Sequence, residues 1–397
     1  MNVSRTYFAI AIIAFLTTGC GDAALEPDAT VSRSSVDLSF LESKQIFEPQ
    51  VTFLEDGTLA VIWREPGEEG SNINVAVRNA DGHFGAPVRV NDDINTVESY
   101  AHDGMRAAIA VGTGSTFAIA WADGRAQVRT ATSADGGQSF QPSIRLDQSG
   151  KPAYRGYPAI SFDSAGDLHA IWIDSRLAEG MAEEPADLFY AKVVNGIVAE
   201  TNLTADQEPT ICGCCRTFID AGKDTLTMTF RNMTAAGYRD PNTITGSPDG
   251  GFGEPQPVSD PLWELRGCPM AGPIQVGNEV LWQDGSTGKK LLMSGSVESQ
   301  QSKRVFDDTE RGTWKGRRPP RVVSTIVQGK SVLLLPGEPE SRLIARIGDN
   351  WKTVADDLPS WATSSVYDRG NLILVGAPGG KFQYQSMELS DDVQAHF

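Results

Sequence analysis

A tryptophan followed two residues later by an acid, at the end of a short apolar run, recurs along this chain. It stands at Trp63-Arg64-Glu65, Trp121-Ala122-Asp123, Trp172-Ile173-Asp174 and Trp282-Gln283-Asp284. Phe230-Arg231-Asn232 holds the fourth place, and Leu335-Pro336 and Val375-Gly376 hold the sixth and seventh. Successive occurrences lie 40 to 58 residues apart. A unit of that length accommodates four short strands but cannot bury its apolar face alone, so such units must pack against one another. Each unit reads alike. An inner strand such as Pro49–Phe53 or Pro158–Phe162 comes first, a glycine turn follows (Asp56-Gly57, Ala165-Gly166), and the Trp-bearing strand comes next. A third strand leads to a tight turn, and a fourth carries Pro-x-x-Val or Pro-x-x-Leu. Alternating apolar residues with Asp-Gly turns are what hairpins require. The pattern predicts an all-β fold over residues 35–397, a β-propeller of four-stranded blades, seven by count. The last unit, Ser364–Leu389, lacks a fourth strand, and Ser35–Phe40 is expected to supply it and close the ring.

The turn after the third strand of the second unit is the most specific local pattern. Ser133-Ala-Asp135-Gly-Gly137-Gln-Ser-Phe140 provides a hydroxyl and a carboxylate to accept backbone N–H groups, glycine for a positive φ, and an aromatic ring to pack beneath. Weaker echoes follow at Ser247-Pro-Asp249-Gly-Gly251-Phe252 and Asn79-Ala-Asp81-Gly82-His-Phe84. With its repeats, the chain resembles the sialidase (neuraminidase) superfamily, whose Asp-boxes follow this plan. The resemblance covers most of residues 35–390 and implies a sialidase-like propeller. The family has six blades, which makes six the alternative to the count of seven. It also implies an exo-alpha-sialidase-type glycoside hydrolase as one functional reading.

The family's catalytic pattern departs at this chain's own positions. Sialidases open the first blade with Phe/Tyr-Arg-Ile-Pro, and that arginine helps grip the substrate carboxylate; here the place reads Phe47-Glu48-Pro49. A carboxylate there opposes the charge needed, because bidentate arginine pairing selects a carboxylate ligand. Where the family places its tyrosine nucleophile, this chain has Trp361-Ala-Thr-Ser-Ser365, with Tyr367 further along. The leading expectation is therefore a non-catalytic binding module for an anionic ligand, a glycan or a soft metal. Its residues should come from the starts of the inner strands, which ring one mouth of the channel. Those starts supply Arg155, Tyr157, Arg216, Arg266 and Arg318 as candidate ligand-binding residues.

Four cysteines accompany them: Cys212, Cys214, Cys215 and Cys268. Cys268 precedes Trp282 by 14 residues and Cys215 precedes Phe230 by 15, so the two should occupy nearly equivalent places in adjacent blades. The stretches Ile211–Arg216 and Arg266–Met270 also resemble paired motifs in a group of bacterial sialidase-like propellers. Three readings stay open, one of them a redox-active thiol pair. In an oxidising compartment the cysteines make disulfides that staple the blades. Alternatively, their thiolates hold copper or zinc, with His102, Met105 or Met270 as extra ligands.

The N-terminus supplies the compartment. Arg5 followed by the apolar run Tyr7–Leu16 reads as a signal peptide over residues 1–19. Leu16-Thr-Thr-Gly19-Cys20 resembles a bacterial lipobox, with Leu one place further out than usual, which marks Cys20 for lipidation. Residues 20–34 read as a flexible tether. The expectation is a membrane-anchored lipoprotein facing the periplasm or the cell surface. Its formal net charge of −17 becomes one unit more negative once Arg5 leaves with the leader. Nothing basic and patterned remains, which argues against nucleic acid as a partner.

Overall fold

The computed structural model describes residues 36–98, 107–124, 127–178, 185–205, 210–213, 215–260, 263–264, 272–286, 291–305, 323–327, 330–335, 340–348, 350–368 and 370–389. The structure is a seven-bladed β-propeller, each blade an antiparallel sheet built from consecutive strands. The blades span 47–89, 108–145, 155–202, 210–257, 274–304, 323–359 and 364–388. Among the described residues no helix is long and apolar enough to cross a membrane.

The Trp-x-acid repeat explains how the blades hold together. Trp63, Trp121, Trp172 and Trp282 are all buried, at most 2% exposed, each on the second strand of its blade. Each joins a cluster shared with the preceding blade. Trp121 packs with Ile62 and Val75 of blade one, Trp172 with Ala118 and Ala120 of blade two, and Trp63 with Ile373 and Val375 of blade seven. Phe230 takes the same role between blades three and four. A ring of this size contributes several kcal/mol by burial, on the order of 3–5 if truncated to alanine. These rings are inter-blade core. The acid two residues on can serve the ring as well: Trp63 Nε1 donates to Glu65 Oε1 at 2.9 Å and Trp172 Nε1 donates to Asp174 Oδ2 at 3.2 Å.

The closure differs from the expectation. Residues 36–38 have no strand structure and Ser39–Leu41 form a single 3-10 turn, so blade seven holds three strands among the described residues. Asp37 is the physical reason: its carboxylate accepts the Ser39 N–H at 2.9 Å, which bends the chain where a strand would continue. The segment still covers the seam. Leu38 and Leu41 bury completely, and Phe40 packs edge-on against Trp63 at 6.1 Å. Blade seven then meets blade one directly, where Val51 N donates to Ser364 Oγ at 3.2 Å.

The Ser133–Phe140 turn lies at the end of the third strand of blade two. Ser133 Oγ accepts the Gly137 N–H at 2.8 Å and donates to Asp135 Oδ1 at 2.8 Å, and Asp135 accepts the Ser139 N–H at 2.9 Å. Burial pushes the Asp135 carboxyl up, but the Ser139 and Ser133 hydrogen bonds outweigh it and hold it below its ordinary value. Gly137 has φ 88°, and a Cβ there would strike Val77 of blade one, so only glycine fits. Phe140 meets Phe117 edge-on at 5.5 Å. Strand pairing puts this turn and the Trp-x-acid ends on opposite faces of the molecule: Ser133 pairs with Phe117 at one end of the strand, and Gln127 with Asp123 at the other.

Candidate functional site

The inner strands begin on the same face as the Trp-x-acid ends, as the pairing of Arg155 with Asp174 shows. There they line a central cavity of about 290 Å³. Blades one, two, three, four and seven contribute, through Gln50–Thr52, Ala107–Ile109, Tyr157–Ile160, Arg216–Ile219 and Ser364–Ser365. Arg216 is the one charged residue among the described lining residues; Thr52, Tyr157, Thr217, Ser364 and Ser365 supply hydroxyls. Hydrogen bonds from one blade to the next fix this wall. Gln50 Nε2 donates to the Ala107 carbonyl at 3.0 Å, and Thr217 Oγ1 donates to the Tyr157 carbonyl at 2.9 Å.

Two inner-strand positions, one of them on the wall, carry backbone strain. Tyr157 has φ 53° and Glu48 has φ 52°, each directly before a proline, and the ladder slips at both places. Non-glycine residues in the left-handed region are uncommon, and strain of this kind gathers at ligand-binding edges. The side chains then diverge. Tyr157 lines the cavity, whereas Glu48 turns to Arg64, its Oε2 lying 3.5 Å from Arg64 Nε.

The five candidate arginine and tyrosine positions separate in the same way. Tyr157 and Arg216 reach the cavity wall together. Arg155 does not line it. It is 3% exposed, its Nε donates to Asp174 Oδ2 at 2.7 Å and stands 3.5 Å from Asp147 Oδ2, and its Nη2 donates to the Lys151 carbonyl. Arg176 completes this network, bonding both Asp174 and Glu200 at 2.5 Å while stacking over Phe189. Burial pushes the Asp174 carboxyl up, but the Arg176 hydrogen bond and the charges of Arg155 and Arg176 outweigh it, so the acid is held below its ordinary value. Arg155 is thus engaged in an ion-pair network between blades two and three. Arg266 and Arg318 lie outside the described residues, as do Cys20, His102, Met105, Cys214, Cys268 and Met270.

Blade four breaks its inner strand at the mouth. Thr210–Ile211 pair with Asn232–Met233, and pairing resumes only at Phe218–Thr229. Cys212 N–H still donates to the Arg231 carbonyl at 2.9 Å, and the described residues beyond it, Gly213 and 215–217, form a bulge in the strand. Cys212 opens this bulge, which carries Cys215 and Arg216. Both sulfurs are buried, and Cys212 Sγ lies 3.3 Å from Cys215 Sγ, a contact beyond the about 2.05 Å of a disulfide bond. Arg239 Nη1 donates to Cys212 Sγ at 3.0 Å. Blade five presses on the same loop, since a Cβ at Gly272 would overlap the Arg216 carbonyl. Among the described residues no three His, Cys, Asp or Glu side chains converge as a metal cluster.

Sequence reasoning passed over several of these residues. Ser364 and Ser365 open the last inner strand, and that place was a usable signal. Tyr367, further along that strand, packs against the core shared by blades six and seven. Arg239 gives no such signal, because it reaches Cys212 across the blade. Glu98 is a third. Burial, and then the charge of Asp123, raise its carboxyl above the ordinary value.

No family model matches the chain, and no curated protein matches it. Solved structures do. A PL25 ulvan lyase bound to a GlcA(1-4)Rha3S unit superposes with TM-score 0.52 at 11% identity, over 90% of this chain and 96% of that one. A puromycin hydrolase superposes with TM-score 0.53 at 12% identity over 91% of this chain, which spans 57% of that enzyme. A Hadza microbial sialidase gives 0.48 at 12% identity, over 81% of this chain and 74% of that one. At such identities the likeness to the lyase and the hydrolase is one of fold, the β-propeller.

Proposed function

We propose that this protein is an exported, lipid-anchored propeller that binds a small anionic ligand, an acidic sugar by class, in its central cavity. One observation carries the reading: the cavity of about 290 Å³ presents Arg216 among hydroxyls and apolar strand surface. A guanidinium set among hydroxyl groups matches a carboxylated, hydroxylated molecule, because charge-assisted hydrogen bonds select the anion and the hydroxyls select its other edges. The ulvan lyase of similar fold holds a uronate-containing unit, which is the same ligand class, although the match in fold says nothing of residues. Anchoring rests on the apolar run Tyr7–Leu16 and on Cys20.

Isothermal titration with glucuronate, N-acetylneuraminate and neutral rhamnose tests the site. The acidic sugars should bind and rhamnose should not. Arg216→Ala should weaken acidic binding at least tenfold, about 1.4 kcal/mol, with the urea midpoint unchanged. Equal binding of neutral and acidic sugars, or an unaffected Arg216→Ala variant, overturns the reading. The hydrolase alternative is decided by a fluorogenic sialoside. Turnover that is lost in Arg216→Ala would replace the non-catalytic reading with a catalytic one.

A further inference from the structure

The bulge in blade four suggests an activity separate from sugar binding. Cys212-Gly-Cys-Cys215 holds two sulfurs at Cys-x-x-Cys spacing, 3.3 Å apart, with the Arg239 guanidinium donating to Cys212 at 3.0 Å. We propose that Cys212 and Cys215 form a redox-active dithiol that exchanges with low-molecular-weight disulfides.

Three features support this. First, a cationic donor against a sulfur favours the thiolate, which is the nucleophile in exchange. Second, the spacing favours a bond over a bridging cation. Two thiolates on a tetrahedral zinc, with Zn–S bonds of about 2.3 Å, stand about 3.8 Å apart. These sulfurs are already nearer than that, and little movement separates them from bonding distance. Third, the loop can open without dismantling a sheet. Cys212 keeps one ladder bond, its N–H donating to the Arg231 carbonyl at 2.9 Å, while Gly213 and residues 215–217 lie outside the pairing that resumes at Phe218, and Arg216, next to Cys215, already lines the cavity. Segments with few ladder bonds open at lower free energy than the strands around them.

The step balances as follows. The Cys212 thiolate attacks one sulfur of R–S–S–R, forming Cys212–S–S–R and expelling one thiolate. Cys215 then attacks the Cys212 sulfur of this mixed disulfide, forming the Cys212–Cys215 bond and expelling the second. The protein dithiol loses two electrons and two protons, and the small disulfide leaves as two thiols.

The test uses the full chain equilibrated in glutathione buffers of stepped oxidised-to-reduced ratio, quenched with acid, alkylated and read by mass spectrometry. The expected result is a Cys212–Cys215 bond whose fraction rises with the ratio and falls again when the ratio is reversed. Cys215→Ser should trap one glutathione on Cys212. In that background the alkylation rate of Cys212 should climb to its plateau at higher pH in Arg239→Met than in Arg239→Lys. Arg239→Met in the otherwise unaltered chain should also move the midpoint at least tenfold toward reducing ratios, since the guanidinium supports the reduced pair. If Arg239→Met fails to fold, the ratio titration and the Cys215→Ser adduct decide alone. Four results overturn the proposal: sulfurs that alkylate at every ratio, a bond that resists reduction until the protein is denatured, bonding of either sulfur to Cys214 or Cys268 instead, or one zinc or copper retained per reduced chain. None of these bears on sugar binding, which the Arg216→Ala titration judges separately.

Discussion

Blades three and four each carry an arginine near the start of the inner strand, Arg155 opposite Asp174 and Arg216 five residues beyond Ile211, which pairs with Asn232, and they use them differently. In blade three the inner strand runs from Arg155 to Phe162 with a single slip, and Arg155 is drawn sideways into Asp174 and Asp147. In blade four the regular pairing is interrupted between Cys212 and Phe218, and Arg216 comes to the cavity wall. Position at the start of an inner strand is therefore not enough to make a ligand site. A continuous ladder keeps its side chains in reach of the neighbouring blade, where a buried charge must find partners. A broken ladder gives up hydrogen bonds and places its side chains over the channel instead. The same break brings two cysteines together.

The largest expected effect comes from attacking the blade-three arrangement. Asp174→Asn removes the charge that holds Arg155 and Arg176 and leaves the buried Arg155 guanidinium without its 2.7 Å carboxylate partner. Losing one member of a buried ion-pair network costs about 3–5 kcal/mol. Urea unfolding should show that loss, while acidic-sugar affinity of the folded variant stays within about twofold. A stable variant that no longer binds sugar would place Arg155 in the site and dissolve the contrast between the blades.

Gly272→Ala probes the other side. Its new Cβ would overlap the Arg216 carbonyl, backbone that cannot swing aside as a flexible side chain would. Overpacking of this kind costs about 1–3 kcal/mol. Because the displaced backbone belongs to Arg216, sugar binding should weaken along with stability, unlike the outcome for Asp174→Asn. Loss of stability with unchanged affinity would mean that the bulge does not set the arginine.

The scaffold was legible in the sequence because its requirement recurs. Five of the seven blades set one large ring against the blade before it, so Trp63, Trp121, Trp172 and Trp282 mark their units and Phe230 marks the fourth, while Leu335 and Val375 hold the place in the last two. Strand alternation misled at Ser35–Phe40, where Val36-Asp37-Leu38 has the strand period but Asp37 caps a turn. The site was legible only in part. Counting back from the ring residue locates the start of an inner strand and so brings Tyr157 and Arg216 to one mouth. It cannot say whether a guanidinium there meets an acid of the adjacent blade. Asp147, which holds Arg155 from blade two, lies just beyond a fourth strand only two residues long, Ile144–Arg145, and has no motif of its own. Arg239 is equally silent, since it approaches Cys212 from 27 residues away.

The smallest expected effect is a pH slope, and it tests whether the polar groups of blade three serve stability alone. His169 is fully buried, with Nε2 3.1 Å from Asp163 Oδ2 and Nδ1 2.7 Å from Tyr190 Oη. Burial lowers the pKa of this imidazole, and the hydrogen bond and charge of Asp163 only partly oppose that. A histidine whose folded value lies below its unfolded value binds more protons when unfolded. Stability is therefore complete above the unfolded value of about 6.5 and falls as the pH drops below it toward the folded value. One proton allows a slope of at most about 1.4 kcal/mol per pH unit. Asp163 and Asp174, both held below their ordinary values, contribute stability that is lost only in the more acidic carboxylate range. Urea unfolding between about pH 7.5 and 5.5 thus isolates the histidine, and His169→Gln should flatten that segment of the curve without changing sugar affinity at pH 7.5. A slope that survives the substitution would assign the proton to another group and remove His169 from the stabilising network of blade three.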